Sequence, residues 1–174
     1  VYKRQIFGLH IMSGGAVGTI NTRPRGLMAA SDSYTIKVKG KQTHGSTPWT
    51  GVDPVTVASQ IVQGFNNIIS RQTPLTKEAA VISVGAIHGG VRSNIIPEEV
   101  EMIGTIRTLD TDMQKEIHRR IRQTATNIAE AAGAVAEVDI RIGYPVTFND
   151  PDLMDKMLPT LHAAAGAENV NIIN

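Results

Sequence analysis

Four side chains of this 174-residue sequence are of types that could hold or polarise a charged small molecule: His10, His44, Asn94 and Arg107. An imidazole can ligate a metal or present an N–H to developing negative charge. A guanidinium offers a carboxylate a planar two-point grip. Taken singly, each has a plainer reading. His10 lies in an apolar run, where a histidine is more often a satisfied core residue than a ligand. Asn94 precedes Ile95-Ile-Pro97 and could simply bond its own loop, and Arg107 on a strand face is usually solvated or ion-paired. His118 and His162 fall on helical stretches and receive no role.

The sharpest local feature is Lys39-Gly-Lys-Gln-Thr-His-Gly-Ser-Thr-Pro-Trp-Thr-Gly-Val-Asp-Pro54. Gly40, Gly45 and Gly51 interrupt any regular element, and Pro48 and Pro54 fix φ and remove donors. The stretch is predicted to be an irregular, flexible loop with an accessible His44 at its centre, the kind of segment in which function concentrates.

The elements around this loop follow from periodicity. Ile6–Ile11 reads as a short buried strand. Ser33–Lys39 alternates, with Tyr34, Ile36 and Val38 on one face, as a half-buried strand does. Asp53 suits an N-cap and Pro54 the first helical position. Val55, Ala58, Ile61, Val62, Phe65, Ile68 and Ile69 then mark one helical stripe to Ser70. Ala79–Ile87 is apolar on both faces and is expected at the centre of a sheet. Glu99–Leu109 is a third strand and Met113–Ala132 a long amphipathic helix with apolar marks at Met113, Ile117, Ile121, Ala125, Ile128 and Ala132, ended by Gly133. Val135–Ile142 is a fourth strand, marked by Val135, Val138, Ile140 and Ile142, and 150–165 a last helix. From Ser33 to Tyr144 the order is β-α-β-β-α-β. The fold class is therefore α+β: a ferredoxin-like antiparallel sheet with both helices on one face.

Composition narrows the function classes. Hydrophobic content of 41% and charged content of 19% are those of an ordinary globular chain. A net charge of +1 gives no basic footprint, so neither nucleic acid nor membrane is expected as a partner. No apolar run approaches the ~20 residues of a membrane span. With no cysteine there is no disulfide or thiolate chemistry, and a cytoplasmic setting is expected. The chain opens on Val1 and stops in a strand-like Val170–Asn174, which reads as an internal piece of a longer protein. Val1–Gln5 fits poorly with the apolar run beginning at Ile6.

In combination the weak signals sharpen. Gly8-Leu-His10, the His44 loop, Ser70-Arg71, His88-Gly-Gly90, Asn94-Ile-Ile-Pro97 and Gly104-Thr-Ile-Arg-Thr108 occur in one order at one set of spacings. That series resembles the M20 metallopeptidase/amidohydrolase family, and most of all its N-acyl-amino-acid amidohydrolases, the hippurate hydrolase-like branch. The resemblance covers Ile6 to about Val170.

The resemblance implies a catalytic domain interrupted by a ferredoxin-like lid or dimerisation domain. On that basis residues 1–30 are a fragment of the catalytic domain, 31–145 the lid, and 146–174 the return. It implies two divalent metal ions (Mn or Zn) with His10 as one ligand, and His44 as the lid histidine that stabilises the oxyanion in the partner subunit's site. Asn94 and Arg107 match positions that bind substrate, the arginine through a carboxylate. The implied substrate is an N-acyl or N-aroyl amino acid or a small peptide, and the implied assembly a homodimer through the lid.

Two departures stand out: Ser13 and Ala16 occupy positions where proline is frequent in the family. The paired glutamates, one of them the family's general base, are absent, and Glu98-Glu99 on a lid strand is not that pair. The remaining ligands are absent too, so the chain alone is expected to be inactive. The rival reading is a non-catalytic ferredoxin-like dimerisation or ligand-binding module.

Overall fold

The computed structural model describes residues 5–173, so of the poorly fitting Val1–Gln5 only Gln5 lies within the described residues. The chain divides into two compact units. One is Gly26–Phe148; the other combines the residues up to Arg25 with those from Asn149 onward.

In chain order the strands are β1 (Ile20–Thr22), β2 (Arg25–Met28), β3 (Ala30–Lys39), β4 (Thr43–His44), β5 (Ala80–Gly89), β6 (Ile95–Ile96), β7 (Glu99–Thr108), β8 (Val135–Tyr144), β9 (Thr147–Asn149) and β10 (Val170–Ile172). The helices are α1 (Pro54–Asn67), α2 (Thr111–Ala131) and α3 (Pro151–Ala165). β5, β7, β3 and β8 form one four-stranded sheet in that order. β3 runs antiparallel to both β7 and β8, and β5 antiparallel to β7. With α1 and α2 as the crossovers, this is the ferredoxin-like α+β arrangement read from the sequence.

The core follows from period-2 strands meeting period-3.6 helices. Tyr34, Ile36 and Val38 of β3 and Val100, Met102 and Ile106 of β7 close over Val57, Ile61 and Phe65 of α1 and Ile117, Ile121 and Ala125 of α2. Each fully buried isoleucine contributes on the order of 2 kcal/mol. Tyr34 meets Phe65 edge-on at 5.7 Å between ring centres. Burial pushes the Tyr34 hydroxyl up to about 12, and it donates to Ser83 O at 3.1 Å. Gly104 lets that ring pass, since a Cβ there would collide with Tyr34 Cζ and Oη.

Helix starts are set locally. Asp53 Oδ1 accepts from the amides of Val55 and Thr56, and Asp110 Oδ1 from those of Asp112 and Met113. Gly133 takes φ 75° just past α2, the left-handed stop expected of a C-terminal glycine.

Several expectations are corrected. Ile6–Ile11 is not a buried strand: residues 5–18 are all exposed and carry no regular element. β5 is an edge strand, not a central one. Its alternation runs unbroken: Ala80, Ile82, Val84 and Ala86 turn toward the core, while the apolar Val81 and Ile87 stand on the other face about half exposed. In α1 the stripe runs through Val57, and Val55 points out; in α2 Ala129, not Ala132, is buried. In β8 Ile140 turns inward, while Val135 and Ile142 are exposed. No helix among the described residues is long and apolar enough to cross a membrane.

The other unit is built from β1 pairing β10 in parallel and from α3, which starts at the N-cap Asp150. Met154 is its buried apolar side chain among the described residues.

Candidate active site

The His44 loop is braced more firmly than its glycines suggest. Lys41 and Val52 exchange both backbone hydrogen bonds, at 2.9 and 3.0 Å, and close the loop at its base. Gly51 sits against Lys41 O, where a Cβ would collide, so here glycine serves close approach of two backbones. Inside the loop Thr47 N donates to His44 O at 2.9 Å, Thr43 and Thr50 share a hydroxyl–hydroxyl bond, and Pro48–Thr50 makes one 3₁₀ turn. Trp49 on that turn is exposed.

The loop is also tied to a distant segment. β4 pairs antiparallel with β6, matching His44 with Ile95 and Thr43 with Ile96. Gly45 N then donates to Asn94 O at 2.8 Å. These bonds bring His44 and Asn94 together although fifty positions separate them in the sequence. Both side chains are exposed. Next to them, Gln42, Val91, Arg92, Ile95 and Pro97 line an open cleft of about 310 Å³.

Arg107 is elsewhere. It faces Ser31 and Val81 at one end of the sheet, whereas the ribbon carrying His44 joins the other end, where Gly40 N donates to Glu98 O at 2.8 Å. From Glu99 to Arg107 the strand extends about 26 Å. Arg107 Nη1 donates to the carbonyls of Asp32 (3.2 Å) and Ile106 (3.0 Å) and to Thr105 Oγ1. Among the described residues these are the hydrogen bonds of its guanidinium, all made by Nη1.

His10 lies in the other unit, on the exposed stretch 5–18. Among the described residues no group of three or more His, Cys, Asp or Glu is placed to hold a metal ion. The donor set of a metal pair is therefore not formed by them, and one histidine does not make such a site.

One polar centre has no clear signal in the sequence. Asp32 is fully buried; Oδ2 accepts from Gln114 Nε2 at 2.7 Å and pairs with His118 Nε2 at 2.8 Å, and Oδ1 accepts from Gly143 N at 3.1 Å. The Gly143 bond lies at the irregularity where β8 slips register between Ser31 and Ser33. His118, which the sequence left without a role, is thus a structural partner. The pattern Ser31-Asp-Ser33 before an alternating strand was the only hint. Ser46, also passed over, bonds the His44 ring directly.

Comparison with known proteins places these features in a family. Residues 30–133 match the M20 peptidase dimerisation domain. The chain is 36% identical over 157 residues to thermostable carboxypeptidase 2 of Saccharolobus solfataricus, covering 90% of this chain and 40% of that protein. It is 33% identical over 160 residues to an N-acetyl-L-cysteine deacetylase of Bacillus subtilis, covering 91% and 38%. In structure it is similar to the YXEP protein of Bacillus subtilis, described as a dinuclear metal binding peptidase of the M20 family. The TM-score is 0.69 at 28% identity, over 88% of this chain and 37% of that one. The chain thus spans about two fifths of the length of these relatives. The sheet order, its two covering helices and the extent of the match lead to one conclusion: this chain belongs to the M20 peptidase/amidohydrolase family and carries its dimerisation domain.

Proposed function

We propose that this chain is the lid-bearing section of a metal-dependent amidohydrolase that cleaves the amide bond of N-acyl or N-aroyl amino acids, hippurate-like compounds among them, or of small peptides. The observation that carries the proposal is the division of the lid. His44 and Asn94 stand together at one end of the sheet and Arg107 at the other. Between those ends β7 extends about 26 Å, longer than a single small substrate, so in this reading a site using all three takes them from two copies. The relatives' activities, a carboxypeptidase and a deacetylase of an N-acyl amino acid, fit a substrate with an amide next to a carboxylate.

In this reading residues 1–30 and 146–174 belong to the catalytic domain and 31–145 to the lid. His10 would supply one ligand of a divalent metal pair, Mn or Zn, and the remaining ligands and general base lie outside this chain. The pair would activate the attacking water. His44 of one copy donates to the oxygen on which negative charge develops, Asn94 beside it contacts substrate, and Arg107 of the other copy grips the carboxylate. The homodimer forms along β5, which is an edge strand among the described residues and carries the half-exposed Val81 and Ile87. On the opposite edge, Arg122 already donates to Val138 O at 2.6 Å.

The test is complementation in the whole enzyme. His44→Ala alone should lower kcat by about 10²–10³ with little change in KM, and Arg107→Ala should mainly raise KM. Random mixing of the two variants should restore up to about a quarter of wild-type activity, because half the dimers then hold one intact site. A mixture no more active than its components would show that both groups come from one copy.

A further inference from the structure

The two nitrogens of the His44 ring have different surroundings. Nδ1 lies 2.7 Å from Ser46 Oγ and 3.2 Å from the Ser46 backbone nitrogen, which donates to it. An amide N–H can only donate, so Nδ1 is an acceptor and the proton of the neutral ring belongs on Nε2. The Ser46 hydroxyl rotates freely and can donate to the same lone pair. The turn that allows this is fixed on both sides: Gly45 N is held by Asn94 O, and both Thr47 N and Thr47 Oγ1 donate to His44 O. Gly45 packs closely there: a Cβ on it would stand 3.1 Å from Asn94 O, a tight contact that would push on the bond between them.

We infer that Ser46 is a positioning residue for His44, its amide and hydroxyl together capping Nδ1 so that the ring presents a fixed Nε2–H to the ligand. The inference deepens the proposal above and rests on its reading of His44 as the oxyanion donor. It specifies what kind of donor the lid supplies. With Nδ1 occupied, the ring offers a single N–H of known orientation, the preorganisation a developing oxyanion needs. The role resembles that of groups behind metal-bound histidines, which fix the tautomer by bonding the far nitrogen.

The experiment uses the ¹⁵N-labelled 174-residue chain and needs no activity. At a pH where the ring is neutral, His44 Nδ1 should appear unprotonated, with a coupling across the hydrogen bond to the Ser46 amide nitrogen. Ser46→Ala should leave the fold intact by circular dichroism, weaken that coupling and raise the minor Nδ1–H tautomer several-fold. Ser46→Thr, which keeps both donors, should restore the wild-type pattern. A protonated Nδ1 in the wild type, no coupling to Ser46, or a His44 spectrum unchanged by Ser46→Ala would each overturn the inference. Failure of the parent reading looks different: the coupling would be present while His44→Ala left kcat of the whole enzyme unchanged.

Discussion

In the unit Gly26–Phe148, Ile36, Ile61, Ile106 and Ile121 are completely enclosed, whereas in the unit built from the two ends Ile6, Leu9 and Ile11 are each more than 90% exposed. The residue types are the same. The difference lies in what surrounds them: a four-stranded sheet offers one apolar face, and α1 and α2 cover it within the same stretch of chain. The segment 5–18 has no such layer among the described residues. An apolar side chain gains from burial only where two layers meet, so apolar composition does not by itself make a core. The polar groups divide in the same way. Asp32 is buried and bonded to three groups, while His44, Asn94 and His10 are exposed.

This contrast can be broken at several points. The largest effect is expected from Asp32→Ala, which leaves Gln114, His118 and the Gly143 amide without their acceptor. It should cost about 3–5 kcal/mol in urea unfolding. A cost below about 1 kcal/mol would mean that the buried network contributes little. Next, Ile121→Ala should cost about 2–5 kcal/mol through the cavity it leaves, against less than about 0.5 kcal/mol for Leu9→Ala on the exposed segment. Equal costs would show that residues 5–18 are packed after all.

The smallest effect is on acid stability. The Arg119 guanidinium holds Glu116 down at about 2, and Lys77 beside Asp110 holds that carboxyl below its usual range. Both folded-state values lie below the unfolded ones. Their contribution is therefore complete above about pH 4.5 and is lost as pH falls toward 2. Glu116→Gln should flatten the fall in melting temperature over that window. Both groups are partly exposed to solvent, so the change is expected to be small and to shrink with salt.

Much of the fold was legible because its signals are local. The alternation of Tyr34, Ile36 and Val38, the pairs Asp53-Pro54 and Asp110–Asp112, and Gly133 each act within a few residues. The β-α-β-β-α-β order follows from reading them in series. The misreadings have one physical source. Val81 and Ile87 put apolar types on the outward face of β5 as well, and residue type does not tell what covers a face, so an edge strand looked central. Ile6–Ile11 carries strand-like composition, yet a strand exists only when another strand supplies its hydrogen bonds.

The candidate site divides along the same line. His44, Asn94 and Arg107 could be singled out from residue types, spacing and family resemblance. That His44 and Asn94 lie together rests on the two-residue ladder β4–β6, too short to leave a periodic signal. That Arg107 lies about 26 Å along the strand follows from sheet register. The sequence alone determined the helix starts and stops, the alternating faces and the order of elements, because these depend on neighbours a few positions apart. Tertiary structure decided which strand is the edge, how Asp32 is satisfied, and which side chains share an end of the sheet. Those outcomes depend on hydrogen bonds between residues tens of positions apart.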